Sequence, residues 1–208
     1  MTKETYLHRQ TLGVLGILLP ILCLIFGYFG KNNYPLWYET MSSTYYTPAI
    51  TAFVGILIAS GIFLCTYIGY NEKLDRIINI LSGIFAIGIA IFPCNATDEK
   101  YVGLFSLPTN ISQIFHIVCA GAFFTLLAFN IIFLFRKQKN EVTKQKQLRN
   151  KIYLICGIGI ISSLIIFALN NIFNWFGFLG WICELFMLLF FGFAWIVKGE
   201  AIPLLNDK

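Results

Sequence analysis

Apolar and polar positions do not alternate along this chain; they come in blocks. Six windows are near-continuous apolar runs: Thr11–Phe29, Pro48–Tyr70, Ile77–Pro93, Ile111–Phe135, Ile152–Asn170 and Phe176–Val197. A helix crossing the bilayer core needs about 20 apolar residues, within a range of roughly 17–25, and every window meets that. The first five contain no Asp, Glu, Lys or Arg, and the sixth contains Glu184 alone. The pattern predicts an all-α fold, a polytopic six-transmembrane-helix bundle forming a single domain over residues 1–208. The first window is too long for the apolar region of a cleavable signal and has no clear cleavage site after it, so it is expected to stay as a helix. Pro20 is expected to kink it, because the ring denies the Gly16 carbonyl its partner.

The connections refine this picture. Asn71–Arg76 and Asn171–Trp175 are tight turns, which makes hairpins of spans two and three and of spans five and six. Gly30–Thr47 and Cys94–Asn110 are longer and are the segments able to cap a cavity. Small residues let helices approach closely in a membrane. They place expected seams at Ser82, Ala86 and Ala90, at Ala52, Gly55 and Ala59, at Ala120–Ala122, and at Gly157 and Gly159.

Composition agrees with hydrocarbon as the solvent. Of 208 residues, 58% are apolar and 12% charged, against roughly 45–50% and 25% in soluble domains. There is no polar shell to cover six such helices in water. Charge sets the expected orientation. Lys3, Arg9, Lys73, Arg76, Arg136, Lys137, Lys139, Lys144, Lys146, Arg149, Lys151, Lys198 and Lys208 fall on one side of a six-span topology; Lys31 and Lys100 fall on the other. Short loops rich in Lys and Arg stay cytoplasmic, so both termini are expected in the cytoplasm and the chain in the cell's inner (plasma) membrane. The net charge of +5 is then mostly a topology signal and does not argue for nucleic acid, for which no soluble domain exists to present a basic face. The loop Arg136–Lys151 is basic enough to meet anionic headgroups, each Lys or Arg near such a surface contributing about 1 kcal/mol.

Metal and cofactor chemistry lack support. The six cysteines form no CxxC pair, and His8 and His116 are the two histidines, on opposite sides of the predicted topology. No cofactor is expected. The informative residues are polar ones in an apolar solvent. Glu184 lies about 4–5 Å from the midplane of span six at 1.5 Å per residue, where an acidic side chain costs roughly 2.5–3.5 kcal/mol. It should face the bundle and be protonated or partnered. His116, some 10 Å from the midplane of span four on the same side, is its natural partner through one water if spans four and six are neighbours. Tyr34, Trp37, Tyr38 and Trp175 fit an interfacial aromatic belt. Asn130 and Thr66 can bond neighbouring helices or their own backbone.

Met41-Ser-Ser-Thr-Tyr-Tyr-Thr47, Phe53-Val-Gly55, Tyr67-Ile-Gly-Tyr70, Asp75, Phe92-Pro93, His116, Arg149-Asn150 and Trp181-Ile-Cys-Glu184…Trp195-Ile-Val-Lys-Gly-Glu200 together resemble a family of uncharacterised bacterial six-helix integral membrane proteins. The likeness runs from the first long connection onward. It implies the six-helix fold and draws attention to Ser42, Asp75, His116, Glu184 and Lys198, but implies no activity. Thr40 stands where that pattern has the first serine of Ser-x-Ser.

Three functions are expected in order. The first is binding or sensing of a lipid or small molecule in an outward-facing cavity between spans two, four and six, lined by Ser42, Tyr46, His116 and Glu184. The second is a membrane hydrolase acting on a lipid-like substrate, with a triad from Ser42, His116 and Asp98. The third is a homo-oligomeric pore or interaction protein with Glu184 on a shared axis. Membrane lipids are the expected partners throughout.

Overall fold

The computed structural model describes residues 2–30, 40–69, 73–95, 100–137 and 143–207, the side chains of 28–30 apart. The fold is all-α. Its helices are α1 (Lys3–Gly30), α2 (Ile50–Thr66), α3 (Lys73–Ile91), α4 (Thr109–Phe129), α5 (Lys144–Phe173) and α6 (Leu179–Lys198). A two-residue antiparallel ladder, β1 (Tyr101–Val102) with β2 (Leu107–Pro108), precedes α4. Among the described residues, five helices are long and apolar enough to cross a membrane. Their outward faces are apolar too: Val14, Ile62, Ile84, Val118, Ile158 and Phe186 are all exposed. Such a surface is stable only where the surroundings are themselves apolar.

The helix α2 is the short one, at 17 residues, or about 25 Å against a core of about 30 Å. The window Pro48–Tyr70 is longer than the helix because its ends do other things. Tyr67 is extended (φ −67°, ψ 123°). Ahead of the helix, Met41–Tyr46 forms a separate 3-10 turn. In contrast, α1 runs unbroken through Pro20. At the end of α4 the chain continues through a π-helical stretch, Asn130–Leu134.

Helices adjacent in sequence pack side by side, and α6 packs on α1, closing a ring of six. The closest approaches are made by glycine. A Cβ at Gly83 would lie 2.4 Å from the Gly61 carbonyl oxygen, and one at Gly13 would lie 2.7 Å from the Gly192 carbonyl oxygen. These contacts seal α2 to α3 and α1 to α6, so no side chain larger than hydrogen fits there. The expected seams are met in part. Ser82, Ala86 and Ala90 are buried, and Gly157 and Gly159 meet Ile132 and Phe190. Gly55 and Gly121, however, face open space, because the ring turns those faces outward. Both chain ends lie at one pole, where Gln10 Nε2 donates to the Gly199 carbonyl and Arg9 Nη1 to the Lys198 carbonyl. The other pole carries the 3-10 turn, the segment after α3 and the start of α4.

Candidate functional site

The 3-10 turn at this loop pole follows from its hydroxyls. Ser43 Oγ, Thr44 Oγ1 and Thr47 Oγ1 each donate to the carbonyl three residues earlier, at 2.6, 2.7 and 2.7 Å. Side chains thus satisfy the backbone oxygens of a tight turn, which lets it enter an apolar setting. Met41, Ser42 and Thr44 are buried in consequence.

The start of that turn still has unmet N–H groups, and Glu184 on α6 meets one. The Met41 N–H donates to Glu184 Oε2, and Ser42 Oγ donates to Glu184 Oε1 at 2.9 Å. Glu184 therefore has a donor on each oxygen and points into the bundle, as expected of an acid at that depth. Beside it is a cavity of about 30 Å³, with Leu19, Met41, Phe53, Leu57, Phe123 and Leu188 among its apolar lining residues and Ser42 and Glu184 as its polar ones. That is room for about two waters.

His116 is not the partner of Glu184. Its Nδ1 bonds the Phe92 carbonyl at 2.7 Å. One turn earlier on α4, Ser112 Oγ donates to the Pro93 carbonyl at 2.8 Å. Tyr46, from the 3-10 turn, donates its hydroxyl to the Cys94 carbonyl at 2.6 Å. The backbone N–H of Asn95 donates to Gln113 Oε1 at 2.5 Å. Three successive carbonyls beyond the end of α3 are thus each held by a different side chain. The chain Phe-Pro-Cys after α3 leaves carbonyls that no following turn can satisfy; α4 supplies two of the donors from one face, at positions i and i+4, and the 3-10 turn supplies the third.

Of the four residues expected to line one cavity, Ser42 and Glu184 come together there, while Tyr46 and His116 hold the neighbouring backbone. The Ser42 hydroxyl donates to Glu184 and His116 bonds the Phe92 carbonyl, so these two members of the expected triad are not paired with each other. Asp98, the third member of that triad, lies outside the described residues, as do Tyr34, Trp37 and Tyr38. Trp175 is exposed, in keeping with a belt position. Asn130 and Thr66 each take one of their two options: Asn130 Nδ2 donates across to Asn79 Oδ1 at 2.7 Å, and Thr66 Oγ1 donates to its own helix at Ile62. Asp75 and Lys198 are buried at the opposite pole, with Arg9 and Arg149. Three basic residues that count toward the charge asymmetry, Arg9, Arg149 and Lys198, are therefore interior groups.

Among the described residues, no cluster of His, Cys, Asp and Glu is arranged to hold a metal. Sequence reasoning missed the backbone of Met41 as a partner of Glu184. The run of hydroxyls from Ser43 to Thr47 was the available signal, because such spacing favours local side-chain-to-backbone bonds over a strand. Comparison with protein-family models, curated proteins and solved structures returns no match.

Proposed function

We propose that this chain is a six-span protein of the plasma membrane, with both termini in the cytoplasm. On this reading it binds an amphiphile, a lipid or a small molecule with a hydroxyl or amine head, at Glu184 and Ser42 from the opposite face. The charge asymmetry supports the orientation. The counting of α2 as a span rests on its apolar composition and on the turn that lengthens it. One observation carries the binding reading: a carboxylate with two donors at the wall of an otherwise apolar cavity.

The mechanism is an exchange of donors. At rest, the Met41 N–H and the Ser42 hydroxyl occupy Glu184 and hold the 3-10 turn down over the cavity. An incoming hydroxyl or ammonium competes for the same oxygens, and its apolar body takes the space beside Phe53 and Phe123. A cavity of 30 Å³ is well below the roughly 300–1,000 Å³ of ligand sites, so binding lifts the turn and repacks the flexible side chain of Met41. His116 and Ser112 hold the end of α3 still while this happens. Glu184 faces its own bundle, which speaks against a role on an axis shared by several copies.

The experiment is mass spectrometry of amphiphiles that co-purify with wild-type protein and with Glu184→Gln and Ser42→Ala. The expected result is loss of the bound species in Glu184→Gln with unchanged assembly size, and a partial loss in Ser42→Ala. Equal amphiphile content in all three proteins overturns the reading.

A further inference from the structure

The pole that carries the chain ends holds an unusual number of cations for its burial. Arg9 is 2% exposed, Lys198 5% and Arg149 7%, and Lys146 is half-buried beside them. Lys198 Nζ and Lys146 Nζ donate to one and the same oxygen, the Phe135 carbonyl, at 3.0 and 3.1 Å. The two ammonium groups are therefore no more than about 6 Å apart, close enough to repel strongly away from water.

Arg149 is engaged by the end of the chain. It donates to the Leu205 carbonyl and to Asp207 Oδ2, each at 2.5 Å. Arg9 is engaged only in part. Its Nε donates to the Tyr67 hydroxyl at 2.8 Å and its Nη1 to the Lys198 carbonyl at 3.1 Å, but Nη2 has no partner. The indole N–H of Trp195, one turn before Lys198 on α6, is buried and has no partner either. These two donors belong to one neighbourhood. The Trp195 ring packs edge-on at 5.0 Å against both Tyr67, which Arg9 holds, and Phe135, whose carbonyl the lysines share. A buried donor left unmet costs roughly 1–3 kcal/mol, and here two lie beside crowded positive charge. Arg9 Nη2 and the Trp195 indole N–H each lack an acceptor, and the charge around them favours an anionic one.

We propose that this pole is a binding site for a phosphate group, whether free or on a lipid headgroup, with Arg9, Trp195, Lys198 and Lys146 as its donors. A phosphate supplies several acceptor oxygens and a negative charge to a neighbourhood that holds Arg9, Lys146 and Lys198 together with two unmet donors. Arginine presents a planar fork suited to that geometry, and lysine a point charge. Lys146, the half-buried member, marks the way in from the interface.

The test uses the full-length protein in two arms. In detergent, inorganic phosphate is titrated and followed by thermal unfolding and by broadening of its phosphorus resonance. In phosphatidylcholine nanodiscs doped with phosphatidylglycerol, retained lipid is read by native mass spectrometry. A rise in Tm and line broadening with phosphate identify free anion as a ligand; selective retention of phosphatidylglycerol without a phosphate response identifies a headgroup. Either result supports the site, provided that Lys198→Gln weakens it at least about tenfold, the size expected for losing one charge-assisted bond. Lys146→Gln, at a half-buried position that the core does not depend on, provides the same check if Lys198→Gln fails to fold. No response in either arm, or a response unchanged in both folded variants, overturns the proposal.

Discussion

The two poles of this bundle handle buried charge in opposite ways. At the loop pole one carboxylate, Glu184, receives a donor on each oxygen, and the charge is answered by dipoles close at hand. At the terminal pole, Arg9, Lys146, Arg149 and Lys198 crowd together while Arg9 Nη2 and the Trp195 indole remain unmet. Burying a charged group is tolerable when hydrogen bonds satisfy it and costly when they do not. The first pole is therefore complete as it stands, and removing its charge should hurt. The second is incomplete, and removing one of its charges should matter little for stability until a ligand arrives.

Substitution tests that contrast directly. Glu184→Ala orphans the Met41 N–H and the Ser42 hydroxyl together, at roughly 1–3 kcal/mol for each buried donor. A loss of about 3 kcal/mol is expected in thermal unfolding of the detergent-solubilised protein. Lys146→Gln in the same assay is expected to lose less than about 1 kcal/mol, because the Phe135 carbonyl keeps Lys198 as its donor and one repulsion disappears. Equal losses at the two poles break the comparison.

A smaller effect sharpens the picture of the loop pole. His116→Phe leaves the Phe92 carbonyl without its side-chain donor and should cost about 1 kcal/mol. The amphiphile content should stay at the wild-type level, which separates a group that holds backbone from a group that binds ligand. A drop in bound amphiphile equal to that in Glu184→Gln would return His116 to the binding site.

The smallest effect lies at the chain end. The Thr143 hydroxyl and the Arg149 guanidinium beside Asp207 hold its carboxyl below the usual carboxylate range. Because the folded value lies below the unfolded one of about 3.9, the stabilisation is present above that pH and fades as pH falls through the lower folded value. Asp207 is half-exposed, so solvent weakens the pair. Asp207→Asn should differ from wild type slightly at neutral pH and not at all in strong acid, as read from Tm against pH.

Much of the architecture was legible from apolar run lengths, with limits set by particular residues. Window four ran from Ile111 to Phe135 and helix α4 with its π-helical stretch runs from Thr109 to Leu134, because Arg136 and the polar connection after it punctuate the run. The second window overshot, since Tyr67-Ile-Gly has the apolar character of a span but an extended start. The expected partnership of Glu184 with His116 failed for a simple reason. Depth along a helix follows from counting residues, whereas direction around it does not. In a membrane both the lipid-facing and the bundle-facing sides of a helix are apolar, so the amphipathic signal that orients a helix in water is weak. His116 turned toward the end of α3, and Ser42, placed by a turn that window counting does not register, reached the carboxylate instead.

The chain's order of residues determined that long apolar helices form, roughly where each begins and ends, and that Glu184 must find company. Hydropathy is a local property, and local runs are long enough to settle those matters. Only the closed ring decided which groups meet, bringing Met41 to Glu184 across 143 positions and Arg9 to Lys198 across 189. Such contacts depend on the rotation and packing of whole helices, which glycine approaches at Gly61, Gly83, Gly13 and Gly192 fix only once all six are assembled.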